Sequence, residues 1–244
     1  MIITLRKLNN AQANVQSAIK FLQTIVEISI AYIIYVRTDV NRKIFNHRNL
    51  NGVDYVIFNT RNKTAVVTDF KEKIQSILDM ILKHYLKKFT LIFLDASTEN
   101  VIETYDFHLK NFATEYEKNG NLERHVYDLL DSFNHLQSLN TLKSQDITPC
   151  ISLECNDALP LPNQLKIPNY EIMTRETNEM LSRVPADYVG INVNSLKTKF
   201  NSLKIIARGR YFMSNTDSRN ITSMTSSNDT TNISTTTMDN SIIE

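Results

Sequence analysis

The stretch KIQSILDMILKHYLKKFTLIFLD (Lys73–Asp95), continued after a polar turn by VIETYDFHL (Val101–Leu109), decides the fold. Apolar residues in its first half recur every three to four positions, which predicts a helix with one buried stripe. Phe89–Asp95 is a continuous apolar run of strand length, typical of a strand buried on both faces. Val101–Leu109 alternates apolar and polar positions and predicts the second, more exposed strand of a hairpin.

Upstream of this stretch, residues 13–37 predict a long helix that is apolar around most of its circumference. Such a helix lies in the middle of a core. Its polar residues, among them Lys20 and Glu27, argue against a membrane span. Residues 39–51 are polar and irregular, whereas Asp54–Asn59 is β-branched and aromatic and predicts a short strand. We expect the next helix to begin near Asp69, with Glu72 at the capping-box position.

Downstream, the pattern predicts a third helix over about Leu122–Leu139 and a short strand at Cys150–Cys155. Four prolines then fall between positions 156 and 186, and this segment should wrap a surface because proline cannot donate to a sheet ladder. Two strand-like pieces end the folded part, Asp187–Val193 and Asn201–Phe212.

Residues 214–244 differ in composition, with 15 Ser or Thr among 31 residues and no aromatic residue. Such a segment buries too little apolar surface to offset its ordering entropy, so the sequence predicts a disordered tail. The chain is therefore expected to hold one α+β domain, 1–213, followed by the tail 214–244. Within the domain, three helices should pack on a mainly antiparallel sheet.

Charge, glycine and cysteine content exclude several classes of function. The formal net charge is +1, so no whole-chain attraction to nucleic acid or an anionic membrane is expected. The chain has four glycines, and phosphate-cradling loops need glycine, which argues against nucleotide-binding folds. Cys150 and Cys155 lie five apart on a strand and face opposite sides, so we expect two free thiols. No secretory signal is recognised in MIITLRKLNN, which makes a reducing compartment the expectation.

The sequence holds no recognisable catalytic, cofactor or metal-binding motif. The carboxylate pair Asp128 and Asp131 lies beside an apolar helical stripe, and Glu103 and Asp106 straddle the two faces of a strand. Neither arrangement favours acid–base chemistry. Basic residues outnumber acidic ones seven to three between Arg61 and Lys88, which leaves weak DNA contact open beside a plain solvated helix face. We predict no enzyme activity, no cofactor and no metal.

The order of these elements resembles the HORMA domain over roughly residues 13–212. The resemblance rests on the ordered set of FLQTIVEISIAYIIYVR (Phe21–Arg37), the helix-to-strand stretch Lys73–Asp95, and NVIETYDFHL (Asn100–Leu109). CISLECNDALPLPNQLKIPNYE (Cys150–Glu171) and the two terminal strand-like pieces resemble the meiotic chromosome-axis branch of that family. That branch often carries a zinc-binding or second folded module, which this sequence lacks.

The resemblance implies a non-enzymatic adaptor that traps a closure-motif peptide, added as a strand, beneath a C-terminal safety belt. Applied to this sequence, the resemblance implies that the safety belt is about 156–212 and that an AAA+ ATPase remodeller engages Met1–Asn14. The resemblance implies that the peptide comes from other axis proteins or from the chain's own end, Met238–Glu244, with head-to-tail self-assembly. The expected peptide-binding residues are Ile151, Ser152, Leu153, Glu154, Cys155, Tyr188, Val189, Ile191, Val193, Leu203 and Ile205.

The branch resemblance further implies a nuclear, chromosome-associated protein that organises the meiotic axis for recombination and synapsis, with indirect contact to chromatin and no membrane. Two alternatives stay open at this point. One is a HORMA adaptor of the spindle-checkpoint, translesion-polymerase or autophagy type. The other is an enzyme of an unfamiliar α+β fold, which no catalytic constellation supports.

Overall fold

The computed structural model describes residues 14–50, 52–59, 61, 65–111, 122–137, 142, 147–156, 183–188, 190–198, 200–209 and 212. These residues all belong to one structural unit, Met1–Ser214. The predicted tail, 214–244, lies outside them. The helices and strands are α1 (Val15–Arg37), β1 (Phe45–Leu50), β2 (Val53–Phe58), α2 (Ala65–Leu82), β3 (Leu86–Asp95), β4 (Val101–Asn111), α3 (Leu122–Gln137), β5 (Ile147–Cys155), β6 (Ile191–Lys197) and β7 (Asn201–Gly209).

Helix α1 is the centre of the core, as its nearly continuous apolar surface predicts. It begins at the N-cap Asn14, whose Oδ1 accepts a hydrogen bond from Ser17 N at 2.8 Å. Sixteen of its 23 residues are buried, and it packs against α2, α3 and β2. By length and composition α1 could cross a membrane, but 78% of its most apolar 18-residue window is buried inside the fold. Burial in protein is the environment of a core helix.

The main sheet has five strands in the order β5-β3-β4-β7-β6, and every neighbouring pair is antiparallel. The α+β fold with three helices on an antiparallel sheet is thus confirmed. The expectation that Val101–Leu109 is the more exposed strand of the hairpin is wrong. Strand β4 pairs with β3 on one side and with β7 on the other, from Glu103↔Gly209 to Asn111↔Asn201, which makes it a central strand.

The two faces of the sheet differ in what covers them. On the face toward the helices, alternate strand residues join the main core, where the rings of Phe89 and Phe107 stack with centroids 4.3 Å apart. We call the opposite side the outer face. There a smaller apolar cluster forms near the β3–β4 turn, from Ile92, Leu94, Val101 and Cys150 with the half-buried Val184 and Tyr188. Cys150 and Cys155 lie on opposite faces and are free thiols, as predicted.

Several element bounds differ from the sequence-based expectation. Residues 45–50, expected to be irregular, form β1 because they pair with β2 around a turn in which Gly52 has φ +95°. Helix α2 begins at Ala65, so Asp69 lies inside the helix and is not its N-cap. Strand β6 is Ile191–Lys197 and not Asp187–Val193, and Arg183–Tyr188 lies in turns and bends.

Candidate functional site

Strand β5 forms one edge of the main sheet. It pairs with β3 along its whole length, from Ile147↔Asp95 to Cys155↔Leu86. Within the described ranges no strand pairs with its other side. An edge strand presents a row of main-chain N–H and C=O groups to which a further strand can bond. The edge of β5 is therefore a candidate site for an added peptide.

The side chains of β5 are apolar toward the helices, and on the outer face they include the small Cys150 and Ser152. Ile151 and Leu153 are buried in the main core, and Cys150 and Ser152 are buried on the outer face. Glu154 pairs with Lys87 at 2.7 Å and with Lys88 at 3.1 Å. The hydrogen bond from Lys87, aided by that from Lys88, lowers the pKa of Glu154 against the opposing effect of burial. The five predicted residues Ile151–Cys155 thus occupy consecutive positions of one edge strand.

The end of β5 is fixed to the end of α2. Helix α2 terminates with His84 at φ +58°, where His84 N bonds to Ile81 O and Tyr85 N bonds to Met80 O, the two bonds of a Schellman motif. Asn156 follows β5, and its backbone N–H donates to Tyr85 O at 2.9 Å while Nδ2 donates to His84 O at 2.7 Å. The chain therefore leaves the sheet at Asn156 from a defined point.

Strands β6 and β7 form the opposite edge of the sheet. Leu203 and Ile205 of β7 are buried in the main core, and Ile191 and Val193 of β6 are half-buried against it. Strands β3 and β4 separate all four residues from β5. Asn194 Nδ2 donates to Ser132 Oγ of α3 at 2.8 Å, which ties β6 to the helical layer.

Residues 183–188 cross the outer face at the β3–β4 turn. Tyr188 Oη donates to Val101 O at 3.1 Å, and Val184 packs on the same apolar cluster. Arg183 pairs with Glu99 at 2.7 Å. The predicted residue Val189 lies outside the described residues. The predicted site residues therefore fall in three places, with five on β5, Tyr188 on the outer face, and four on β6 and β7.

Two contacts that the sequence did not reveal hold β7 on β4. On the outer face Arg208 pairs with the carboxylate of Asp106, which also accepts a hydrogen bond from Thr90 Oγ1 at 2.7 Å. On the helix face Gly209 lies so close to β4 that a Cβ there would stand 2.7 Å from Glu103 Cγ and 3.0 Å from Ile102 O. Only glycine fits this approach without displacing β4. Both contacts form because β7 pairs with β4. These two strands are far apart in the sequence, so no local sequence pattern predicts the contacts.

A buried ion pair joins α1, β4 and α3. Arg37 Nη2 bonds to Glu103 Oε1 at 2.6 Å and Nε to Oε2 at 3.1 Å, while Nη1 donates to Leu136 O at 3.2 Å. Tyr105 Oη donates to Glu103 Oε2 at 2.8 Å. Burial is the largest single effect and lowers the pKa of Arg37, but the hydrogen bonds and charges of Glu103 and Tyr105 together outweigh it, and the net pKa is raised. Burial raises the pKa of Tyr105.

These ionisable groups serve structure and not catalysis. The side chains of Arg37 and Glu103 are both fully buried, so neither reaches a substrate. Asp106, the other half of the carboxylate pair, lies on the outer face with Arg208, which confirms that the two acids straddle β4. In the part of the chain that the structure describes, no three His, Cys, Asp or Glu side chains are placed to hold a metal ion.

The profile of the HORMA domain matches residues 18–188 of the sequence. The chain belongs to the HORMA domain family. HORMA domains are non-enzymatic adaptors, which confirms the prediction that the chain is not an enzyme. No curated protein matches the sequence at a significant level.

Solved HORMA structures share the fold of this chain. C. elegans HTP-2 bound to closure motif 1 of HTP-3 has 10% identity and a TM-score of 0.70, and the match covers 86% of this chain and 94% of that chain. C. elegans HTP-1 bound to the HIM-3 closure motif has 12% identity and a TM-score of 0.65, covering 80% and 91%. A chain of the mitotic checkpoint complex has 11% identity and a TM-score of 0.59, covering 79% and 98%. At these identities the likeness establishes the HORMA fold.

Proposed function

We propose that this HORMA domain is an adaptor that binds closure-motif peptides by strand addition along the outer edge of β5. The observation that carries the proposal is the strand order, in which β5 ends the sheet on one side and β6–β7 end it on the other. An added strand gains main-chain hydrogen bonds along the edge, and the side chains of the edge strand select its alternate residues. The HTP-1 and HTP-2 structures support the proposal because both proteins hold closure motifs of HIM-3 or HTP-3.

The predicted residues take two different roles in this proposal. Ile151, Ser152, Leu153, Glu154 and Cys155 supply the pairing strand. The belt, about residues 156–212, starts from the fixed point at Asn156 and ends in the hairpin β6–β7. Its residues hold the belt on the scaffold and so retain the peptide indirectly; they are Tyr188, Val189, Ile191, Val193, Leu203 and Ile205.

Slow release of the peptide follows from this topology. A peptide held beneath the belt leaves only when β7 separates from β4 or when the segment between β5 and β6 opens. The first route breaks the Arg208–Asp106 pair and removes Leu203 and Ile205 from the core. Such local unfolding has a higher free-energy cost than the loss of surface contacts. The proposal includes an AAA+ ATPase remodeller that engages Met1–Asn14 and accelerates this opening.

The finer part of the proposal is a nuclear role on the meiotic chromosome axis, where the adaptor recruits recombination and synapsis factors to chromatin. Its support is the similarity to HTP-1 and HTP-2. The proposed domain is 1–213, and the proposed polar tail, 214–244, ends in a self-binding closure motif at Met238–Glu244 that allows head-to-tail assembly. The similarity to a chain of the mitotic checkpoint complex favours a spindle-checkpoint adaptor as the second candidate.

Hydrogen–deuterium exchange tests strand addition directly. The protein is measured alone and with synthetic closure-motif peptides of HIM-3 and HTP-3 and a peptide covering residues 230–244. We expect a retained peptide to slow amide exchange in Ile147–Cys155, because the edge amides gain acceptors. The hairpin Phe45–Phe58 serves as the internal control and should not change. Retention of a peptide without protection of β5 would contradict the strand-addition site.

Two further observations decide the finer claims. If the tail carries a closure motif, the full chain self-associates more strongly than residues 1–213 in sedimentation equilibrium, and equal association would contradict it. Immunolocalisation separates the branches, since an axis protein is found along meiotic chromosomes and a checkpoint protein at kinetochores of dividing cells. If neither pattern is observed, the protein is a HORMA adaptor of another type.

A further inference from the structure

A row of lysine and histidine side chains crosses the outer face at the end of the sheet away from the β3–β4 turn. The strand registers place Lys88 of β3 beside His108 of β4, and His108 beside Lys204 of β7. Lys110 lies two residues farther along β4, on the same face as His108. We call these four residues the basic face. Neighbouring strands are about 4.8 Å apart, so the row spans roughly 10 Å.

The basic face is exposed at two of its four positions, and among the described residues its charge is offset by one ion pair, Lys88 with Glu154. Lys110 and Lys204 are exposed, and the side chain of Lys88 is 20% exposed. Burial lowers the pKa of His108, and the charges of Lys88, Lys204 and Lys110 lower it further against the effect of Glu154. Glu154 is itself shared between Lys87 and Lys88. Asp106, the next acid on this face, is paired with Arg208.

The main-chain groups beneath the basic face belong to strands with neighbours on both sides. Strands β3, β4 and β7 each pair with a strand on both sides. A peptide lying on this face would therefore find no unpaired strand edge with which to form main-chain hydrogen bonds. An acidic peptide would depend on exposed Lys–carboxylate pairs, each of which stabilises binding by about 0–1 kcal/mol. The face therefore does not favour a short acidic peptide.

A polyanion with closely spaced charges is a better ligand for such a face. Lysines that neutralise DNA phosphates release condensed counterions, which gives each contact a sequence-independent contribution. None of the four residues of the basic face is Phe, Tyr or Trp, so these residues offer no platform on which unpaired bases could stack. The chemistry thus favours the backbone of duplex DNA over single strands.

We propose that the basic face, Lys88, His108, Lys110 and Lys204, binds the phosphate backbone of duplex DNA without reading its sequence. The site lies on the sheet face and not on the β5 edge. The domain would then contact chromatin directly while the edge of β5 remains open to a peptide.

Fluorescence anisotropy with a labelled duplex of mixed sequence tests the proposal in the full chain. The test variant is Lys110→Glu with Lys204→Glu. The control variant is Lys20→Glu with Lys43→Glu, which reverses two exposed lysines on α1 and beside β1 and changes the net charge equally. We expect the test variant to lose more than about tenfold in affinity at low salt, while the control stays near the wild type.

Salt dependence and a second ligand make the outcome decisive. For the wild type, log K should fall linearly as log salt increases. In Lys204→Ala, which removes one lysine contact, we expect the magnitude of this slope to be smaller by about one. Equal loss in the test and control variants would show an effect of net charge alone and overturn the proposal. Binding of poly-glutamate in place of DNA would overturn it as well. Thermal unfolding of each variant shows whether the fold is retained.

Discussion

At the scale of single residues, the buried Arg37–Glu103 pair joins distant parts of the scaffold. It links the last residue of α1 to a central strand and to the carbonyl of Leu136 near the end of α3. The sequence indicated both residues, Arg37 as the end of a helix and Glu103 as half of a carboxylate pair, but not that they meet. Their partnership spans 66 positions of the chain and depends on how the helix packs on the sheet.

Removing one partner of this pair should destabilise the protein strongly. We expect Arg37→Met to lower the free energy of unfolding by about 3–5 kcal/mol, because the Glu103 charge stays buried without its counter-ion. Urea denaturation measures the loss. The double variant Arg37→Met with Glu103→Leu should recover much of it, since both charges are then gone. A single variant with nearly wild-type stability would contradict the structural role of the pair.

His108 should make stability depend on mildly acidic pH. Burial and the neighbouring Lys88 and Lys204 hold its folded-state pKa below 6.5, the usual value of a histidine. Between the two pKa values the unfolded chain binds more protons, so stability is present above 6.5 and decreases as the pH falls from there through the folded-state pKa. His108→Gln should flatten this part of the stability–pH curve measured by denaturation. An unchanged curve in this variant would contradict the effect assigned to His108.

At the scale of elements, the periodicity of the chain predicted the three helices and the strands β3, β4 and β5. Periodicity failed where pairing with a strand that is distant in the sequence determines the secondary structure or the position in the sheet. Residues 45–50 have no strand-like pattern, and they become β1 because β2 lies beside them. Strand β4 is central because β7, almost a hundred positions away, pairs along it. Both errors concern information that is not local in the sequence.

The Schellman motif at the end of α2 contains a residue with an unfavourable backbone conformation. His84 has φ +58°, a region that costs about 1–2 kcal/mol for residues with a Cβ. We expect His84→Gly to stabilise the protein by up to about 1 kcal/mol, because the gain is partly offset by the greater freedom of glycine in the unfolded chain. The bond from Asn156 is to the main-chain oxygen and should survive. A lower midpoint of thermal unfolding in this variant would contradict the prediction.

The close approach of β7 to β4 makes Gly209 sensitive to any side chain. A Cβ there meets the backbone oxygen of Ile102 and the buried Glu103. We expect Gly209→Ala to destabilise the fold by about 1–3 kcal/mol and to speed amide exchange in β6 and β7. Gly190→Ala is the control, because its Cβ would meet only side-chain atoms of Ile206 and Arg208. Equal effects of the two substitutions would show that close packing at Gly209 is not the cause.

At the scale of the whole molecule, the order of elements carried more information than any motif. The ordered set of core helix, apolar hairpin and proline-punctuated C-terminal segment led to the HORMA fold, and the family match over residues 18–188 confirms it. The candidate site was predictable only in part. The five β5 residues lie together on an edge, whereas the contribution of β6 and β7 depends on which side of the sheet they occupy.

The composition of residues 214–244 predicts that they add no stability to the domain. We expect truncation after Ser214 to leave the midpoint of thermal unfolding unchanged, because the polar segment buries little apolar surface. Differential scanning calorimetry of the full and truncated chains measures this. A clearly lower midpoint for the truncated chain would place the domain boundary farther toward the C-terminus.

The fixed exit of the chain at Asn156 also sets the length of a tether. Thirty-four residues, 157–190, connect Asn156 to Ile191, and fully extended they reach on the order of 110 Å. The five strands of the sheet span only roughly 20 Å. A hairpin β6–β7 that left β4 would remain covalently attached, at an effective concentration on the millimolar scale. Its return would therefore be an intramolecular step whose rate does not depend on the amount of protein, whereas capture of a peptide from solution would depend on peptide supply.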